Sequence, residues 1–463
     1  MLNKINSMTT NRLTYEAVIS IENLEQGLDR LKSGKCPGLD GVLKSDFTNI
    51  QLTKLSKDLK KQTYKPKPYK RIQLANPNKS IRTLAIASQI DKVVQAAIIN
   101  KLEPFVNPFF SDLSFGFRPK LGCHDTLHHI KYNWQNVTWF LTLNFETHFE
   151  KTQHKLLLDK LSFLVDQPLL ELISKLIKVG YVDIYNINNR ENYGNKDIPL
   201  GSLISPLLTN IYFHDFDYFL QSNQLKFVRH ADDILIGITG NKLEALEILE
   251  NSKVFLLKNL EITLNMDKSR IQQSTKYNIM YLGMYIKVHM ENENSIKLRA
   301  PIDKLCARAI DQGFAKAKKD NVARATSCRS MINLELNEIV EKYSSIIKVI
   351  LNYYSCVNKR SDLWSIVSLY KKSCALTIAD KLKLRTAAAV FKKFGPLLKI
   401  KNSKNKVIIQ LHYPESLKTK IDFKKHKSHI QELVMYQQIQ PKISFRGRAV
   451  CVVAGARTVL RQG

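Results

Sequence analysis

Residues 226–238 read KFVRHADDILIGI. Two short β-favouring runs are separated only by Ala231, Asp232 and Asp233, a spacing that predicts a tight hairpin with two adjacent carboxylates at its tip. Like charges a few ångströms apart repel, so such a tip needs neutralising. A divalent cation would do this; two solvated acids on an ordinary turn are the plainer reading. The tripeptide alone leaves both open.

The flanking text supplies the rest of an α+β layout. A helix is predicted over 242–259 and a strand pair near 262–286. Upstream, 64–90 (YKPKPYKRIQLANPNKSIRTLAIASQI) has β-favouring runs around Asn76, Pro77 and Asn78, a second hairpin. Helical text fills 91–104 and much of 150–180. Residues 19–61 are helical too, with Ile21, Leu24, Leu28 and Leu31 at three- and four-residue spacing before a turn at CPGLDG. After about residue 290 the chain is expected to be helical and basic. There, Ile366, Tyr370, Cys374, Ile378 and Leu382 form an i+4 ladder, a buried stripe with Lys371 and Lys372 off it.

The composition narrows the partner. The 463 residues carry 71 Lys and Arg against 41 Asp and Glu, a net charge of +30. Residues 301–463 hold 32 of the basic and 11 of the acidic side chains, so +21 lies in the last third. That excess calls for a polyanion, nucleic acid first and an anionic membrane surface second. No apolar run approaches the roughly 18 residues of a spanning helix. Seven widely spaced cysteines without a CxxC argue for reduced thiols and against zinc. The N-terminal MLNKINSMTTNRL lacks the apolar core of a secretory signal. Lysine outnumbers arginine 53 to 18, as A+T-rich coding sequence, such as that of an organelle genome, would give.

FVRHADD at 227–233 resembles the YADD hairpin of group II intron reverse transcriptases, and further motifs follow in family order. KSGKCPGLDG (32–41) resembles the N-terminal extension, SIRTLAI (80–86) the fingers motif and FSDLSFGFRPKLGCHDTL (110–127) the stretch after it. IPLGSLISPLLTNIYFHDFD (198–217) is similar to the template-gripping motif. LNMDKSRI (264–271) and YLGMYI (281–286) resemble the last palm motifs. LNYYSCVNK (351–359) and 363–395 resemble the thumb and maturase domain X of organelle intron proteins. The resemblance implies a right-hand fold, α+β, with fingers and palm around an antiparallel sheet and an α-helical thumb and domain X behind. Its expected borders are a tail at 1–18, fingers and palm at 19–289, thumb at 290–345, domain X at 346–400 and a basic tail at 401–463.

The departures from the family pattern matter as much. The resemblance makes Asp232 and Asp233 catalytic, metal-binding carboxylates, but the place of the third aspartate is Asn144, in TWFLTLNFETHFEKT. Glu146, two residues on, is displaced by about 6 to 7 Å along the strand, too far to substitute. Glu150 stands for the family's second aspartate there, Asn76 for the triphosphate lysine, Leu200 for the template-gripping glutamine and His230 for the aromatic before the paired aspartates. Arg82, Arg118 and Lys268 are retained. With Lys371, Lys372, Lys392 and Lys393 they make up the expected nucleic-acid-binding set. Tyr353, Tyr354 and Trp364 are candidates for base stacking, with core packing as the alternative. The zinc-dependent HNH nuclease that ends many such proteins is not expected, since His426 and His429 stand near no cysteine pair.

The resemblance therefore implies a maturase-like protein that assists folding and splicing of a group II intron RNA with a degenerate polymerase site. It requires no cofactor, with magnesium at Asp232 and Asp233 only if the site still binds metal. The expected partner is intron RNA, with no membrane and a homodimer left open; the expected location is the mitochondrion, with the chloroplast as the alternative. An active reverse transcriptase in intron mobility and a non-catalytic organelle RNA-binding protein are the two competing functions.

Overall fold

The computed structural model describes residues 12–31, 37–75, 81–146, 153–183, 186–191, 198–199, 201–289, 295–317, 323–402, 404–417 and 421–424. The described chain forms two compact units, one from 12–122 and 137–273, the other from 123–136 and 274–424.

The first unit is built on two sheets. Strands β1 (Tyr69–Ala75) and β2 (Ile81–Ile86) form the expected antiparallel hairpin. β3 is Trp139–Leu143. β4 (Tyr181–Asp183) runs parallel to β1 and pairs antiparallel with β5 (Asn186–Glu191), giving the order β2-β1-β4-β5. β6 (Lys226–His230), β7 (Asp233–Ile238) and β8 (Arg270–Gln273) join β3 in an antiparallel sheet of order β6-β7-β3-β8. β7 is buried along nearly its whole length, which is why ILIGI reads as one apolar run rather than an alternation.

Helices Ser205–Ser222 and Lys242–Leu260 pack on β6 and β3 respectively and on each other. The second begins with a capping box. Asn241 Oδ1 accepts the Glu244 amide at 3.1 Å while the Glu244 carboxylate accepts the Asn241 amide at 3.4 Å. Helix Gln89–Val106 starts on the Ser88 hydroxyl and carries Gln95, whose Oε1 accepts both the Ser202 hydroxyl and the Leu203 amide at 3.0 Å. Its Nε2 donates to the Tyr69 hydroxyl at 3.0 Å, so one buried amide joins β1 to the turn at Gly201–Leu203. Gly201, in that turn, has φ +101, and a Cβ there would meet the Ala85 carbonyl oxygen at 2.8 Å. Only glycine suits both conditions.

The second unit holds a three-stranded antiparallel sheet of β9 (Ile279–Tyr281), β10 (Met284–His289) and β11 (Ser295–Arg299), in the order β11-β10-β9. Helix Cys123–Asn133 packs on β11. Helices Ile302–Asp311, Leu336–Tyr353, Leu363–Lys381 and Ala387–Phe394 follow, with small hairpins β12–β13 (Ala315–Ala317, Ala323–Ala325) and β14–β15 (Ile400–Lys401, Val407–Ile409). The predicted ladder is buried at Ile366, Tyr370, Cys374 and Ile378, with Leu382 at its partly exposed end. Tyr343 ties two of these helices together, its hydroxyl 2.9 Å from both Ser373 Oγ and Thr377 Oγ1.

Residues 421–424 dock within this second unit. Asp422 and Ser355 exchange hydrogen bonds, and the Phe423 ring meets the edges of His128 and Tyr132 at 5.0 and 6.0 Å. His124 donates from Nε2 to the Tyr353 carbonyl at 2.8 Å and accepts the Lys424 amide on Nδ1 at 2.9 Å.

β9 and β10 pair with β11 and not with the palm sheet, so the border between the compact units falls after Gln273. One expectation changes here: the chain beyond 290 is not purely helical, since it contributes β11 and two short hairpins.

Candidate functional site

The β6–β7 turn is as tight as the sequence predicts. His230 pairs with Asp233, leaving Ala231 and Asp232 as the loop. Ala231 has φ +60, the positive value at the first loop position that type II′ hairpin turns require and usually assign to glycine. Asp232 and Asp233 are both partly exposed.

An alanine in that conformation needs bracing, and the bracing is local. Arg229, fully buried, gives Nε and Nη2 to the two oxygens of buried Asp217 at 2.7 and 2.6 Å. Nη1 reaches Asn210 Oδ1 at 2.9 Å and the Ala231 carbonyl at 3.0 Å, and Nη2 reaches Ser114 Oγ at 2.7 Å. All five donor positions of the fork thereby meet oxygen. The backbone of 113–115 runs beside β6, with the Arg229 amide donating to Leu113 at 2.9 Å and the Phe115 amide donating to Arg229 at 2.8 Å. Gly116 then lies so close to the tip that a Cβ on it would sit 2.2 Å from the Ala231 nitrogen. Its carbonyl accepts Asn210 Nδ2 at 2.9 Å.

Asn144 follows β3 directly. Leu143 pairs with Ile234, so one further step in register sets Asn144 level with Asp233. Its Nδ2 donates to the Lys268 carbonyl at 3.3 Å, its backbone amide to Ser269 Oγ at 3.0 Å, and its carbonyl accepts the Asn265 amide at 2.8 Å. The structure thus brings together Asn144, Lys268 and the Asp232–Asp233 hairpin at one end of the palm sheet. An aspartate at 144 would turn a carboxylate oxygen toward the Lys268 carbonyl, where the amide now supplies a hydrogen. Glu146 is exposed. Among the described residues, no three His, Cys, Asp or Glu side chains come together as a metal-holding group.

Arg118, expected to face RNA, does not. It is 7% exposed, and its guanidinium binds Asn107 Oδ1 at 2.9 Å and the carbonyls of Ser111, Ser114 and Asn107 at 2.6, 2.9 and 3.3 Å. Burial pulls its pKa below the usual arginine value. It organises the loop that backs the hairpin. Tyr353 and Tyr354 are likewise core residues, with hydroxyls on the Leu282 and Gly283 carbonyls at 2.5 and 3.2 Å. Lys372, Lys392 and Lys393 are exposed, while Lys371 is partly buried under aromatic rings. Asn76, Glu150, Leu200, His426, His429 and the Arg82 side chain lie outside the described residues.

The Arg229–Asp217–Asn210 brace is absent from the expected site. Its signal was present as Arg229 directly after the apolar pair Phe227 and Val228 in a strand next to an apolar run, a place where burial is costly without an ionic partner.

Residues 65–286 match the reverse transcriptase (RNA-dependent DNA polymerase) family, and residues 293–440 match the type II intron maturase family. An uncharacterized 91 kDa protein in a cob intron of Schizosaccharomyces pombe is 26% identical across 94% of this chain and 64% of its own length. A putative COX1/OXI3 intron 2 protein of Saccharomyces cerevisiae is 26% identical across 98% of this chain and 61% of its own. The group II intron-encoded protein LtrA of Lactococcus lactis is 27% identical across 76% of this chain and 72% of its own. The chain thus spans a little under two thirds of the two yeast relatives' lengths. The chain thus joins a reverse transcriptase region to a type II intron maturase region, and it belongs with the reverse transcriptase-like maturases that combine these two families.

Proposed function

We propose that the protein binds a group II intron RNA and stabilises the fold in which that RNA splices, without polymerising DNA. The observation that carries the reading is Asn144, an amide engaged with the Lys268 carbonyl where the family pattern has the third metal-binding aspartate. Two magnesium ions ask for more negative charge than Asp232, Asp233 and a neutral amide supply. No step of this function passes through them; the transesterifications belong to the RNA. What the protein contributes is a scaffold and charge: a hairpin braced by Arg229 and Asp217, and a last third carrying +21. Lysine and arginine contacts to phosphate give affinity and register to such a complex.

Splicing of a group II intron precursor, measured with and without the purified protein beside a primer-extension assay on the same RNA, tests this. Faster splicing with no cDNA is the expected pair of results. Primer extension that Asp232→Ala abolishes would overturn it in favour of an active reverse transcriptase, a reading favoured only by the intact hairpin and its partly exposed carboxylates. The mitochondrion is retained ahead of the chloroplast as the compartment, which fractionation decides. A second copy on the same RNA would appear as doubled protein mass in light scattering.

A further inference from the structure

Between residues 386 and 414 the chain has six lysines, Lys392, Lys393, Lys399, Lys401, Lys404 and Lys406, and no Asp or Glu. All six are exposed. Beside them lies an aromatic cluster. Trp364, Ser368, Lys371 and Lys372 fall at i, i+4, i+7 and i+8 of helix Leu363–Lys381, one face of it. Three of these meet Tyr413: the Trp364 ring at 5.4 Å between centroids, the Ser368 hydroxyl at 3.3 Å from the phenol oxygen, and the Lys371 ammonium at 4.0 Å from the ring centre. The same ammonium lies 5.7 Å from the centre of the Phe391 ring. Lys371, Phe391 and Pro396 line an open cavity of about 250 Å³. Trp364, Phe391 and Tyr413 are all half-buried rather than sealed into the core.

Each component has an ordinary reading alone, a surface lysine or a ring at the core's margin. Together they place an open cavity, an aromatic wall and a cation within an acid-free stretch of lysines. We propose that this notch holds one unpaired RNA base, stacked on Phe391, with Lys371 reaching its edge or the adjoining phosphate and the exposed lysines neutralising the flanking backbone. Stacking on an aromatic face beside a basic track is how single strands are held. Bases inside an A-form duplex are not available to such a wall. The volume, below the roughly 300 to 1,000 Å³ of small-molecule pockets, suits one ring system rather than a whole nucleotide. The proposal rests on the reading that the chain binds RNA and adds where a base is gripped.

Full-length protein titrated with a short single-stranded RNA carrying one central 2-aminopurine, and with the same RNA abasic at that position, provides the test. We expect 2-aminopurine fluorescence to be quenched on binding and the abasic RNA to bind about tenfold more weakly, near the lower end of one base stack. Phe391→Leu should bring the two RNAs to equal affinity without changing the salt dependence, whereas Phe391→Tyr should keep the gap. Lys392→Gln with Lys393→Gln should lower the salt slope for both RNAs and leave the gap in place. Lys371→Met, at a partly exposed helical position, reads the same gap independently should Phe391→Leu unfold, and is expected to narrow it. Strong, salt-dependent binding that ignores the missing base overturns the notch while leaving RNA binding intact. Absence of binding to either RNA at low salt overturns both.

Discussion

Arg229 and Asp217 form a two-pronged ion pair in which neither side chain reaches solvent, and the same guanidinium holds the carbonyl of Ala231, the residue before the paired aspartates. The hairpin tip is therefore fixed by protein contacts, and a metal is not required to shape it.

Breaking that pair should be costly. Arg229→Met leaves a buried carboxylate without its partner, and removing one member of a buried pair typically costs about 3 to 5 kcal/mol. Urea unfolding should show a loss of that order for Arg229→Met and for Asp217→Leu, with the double replacement less unstable than the sum of the two. Simple additivity would mean that the pair contributes no coupling.

The carboxylates themselves should be dispensable for splicing. Asp232→Ala with Asp233→Ala is expected to leave intron excision within twofold of the unmodified protein and the melting temperature unchanged or raised, because two like charges are relieved. A large splicing defect in a variant with an unchanged melt would return a chemical role to the tip. Restoring the missing acid alone should not restore polymerisation, because Asn76, Leu200 and His230 still depart from the family pattern. Asn144→Asp faces the Lys268 carbonyl without a hydrogen to offer, and should lower stability by about 1 kcal/mol while primer extension stays absent.

Arg118 and the exposed lysines should separate cleanly in one pair of assays. Arg118→Met strands several buried carbonyls and should cost about 1 to 3 kcal/mol of stability with no change in the salt slope of RNA binding. Replacing Lys392, Lys393, Lys399 and Lys401 by Gln should do the reverse, reducing the slope by up to about 0.7 for each phosphate of a single strand that the protein ceases to neutralise. A slope that falls with Arg118 would place that residue at the RNA.

Acid should loosen the docking of residues 421–424. Burial holds the His124 imidazole below its usual 6.5. The unfolded chain then binds the proton first as pH drops, so this site's stability is full above about pH 6.5 and declines below it. Protonation also removes the Nδ1 acceptor from the Lys424 amide. Asp125, Asp422 and Lys424 are the charges that act on the ring, and the two acids moderate the shift. Hydrogen exchange at the Lys424 amide should be faster at about pH 5.5 than exchange chemistry alone allows, and His124→Gln should flatten the difference.

Much of this fold was readable along the chain, and the failures have physical causes. The fingers and palm hairpins and the capped helix at 242–260 depend on local alternation, turn residues and capping, which sequence carries directly. The assignment of β9 and β10 to the second unit depends on pairing with β11, a choice between partners that periodicity does not encode. Arg118 and Tyr353 look outward by residue type, yet their polar ends are satisfied by carbonyls that only folding brings near. Asn144 was legible as a missing charge; its bond to Lys268 was not, because 124 residues separate them.

The strip 113–115 has one more consequence. β6 is the outermost strand in the palm sheet's order, and a bare outermost strand offers its amides and carbonyls to any passing chain. The Leu113 and Phe115 backbones occupy the amide and carbonyl of Arg229, and so cover that margin at the residue next to the tip. Residues 113–115 thus also block strand addition at Arg229, whether or not the neighbouring carboxylates hold a metal.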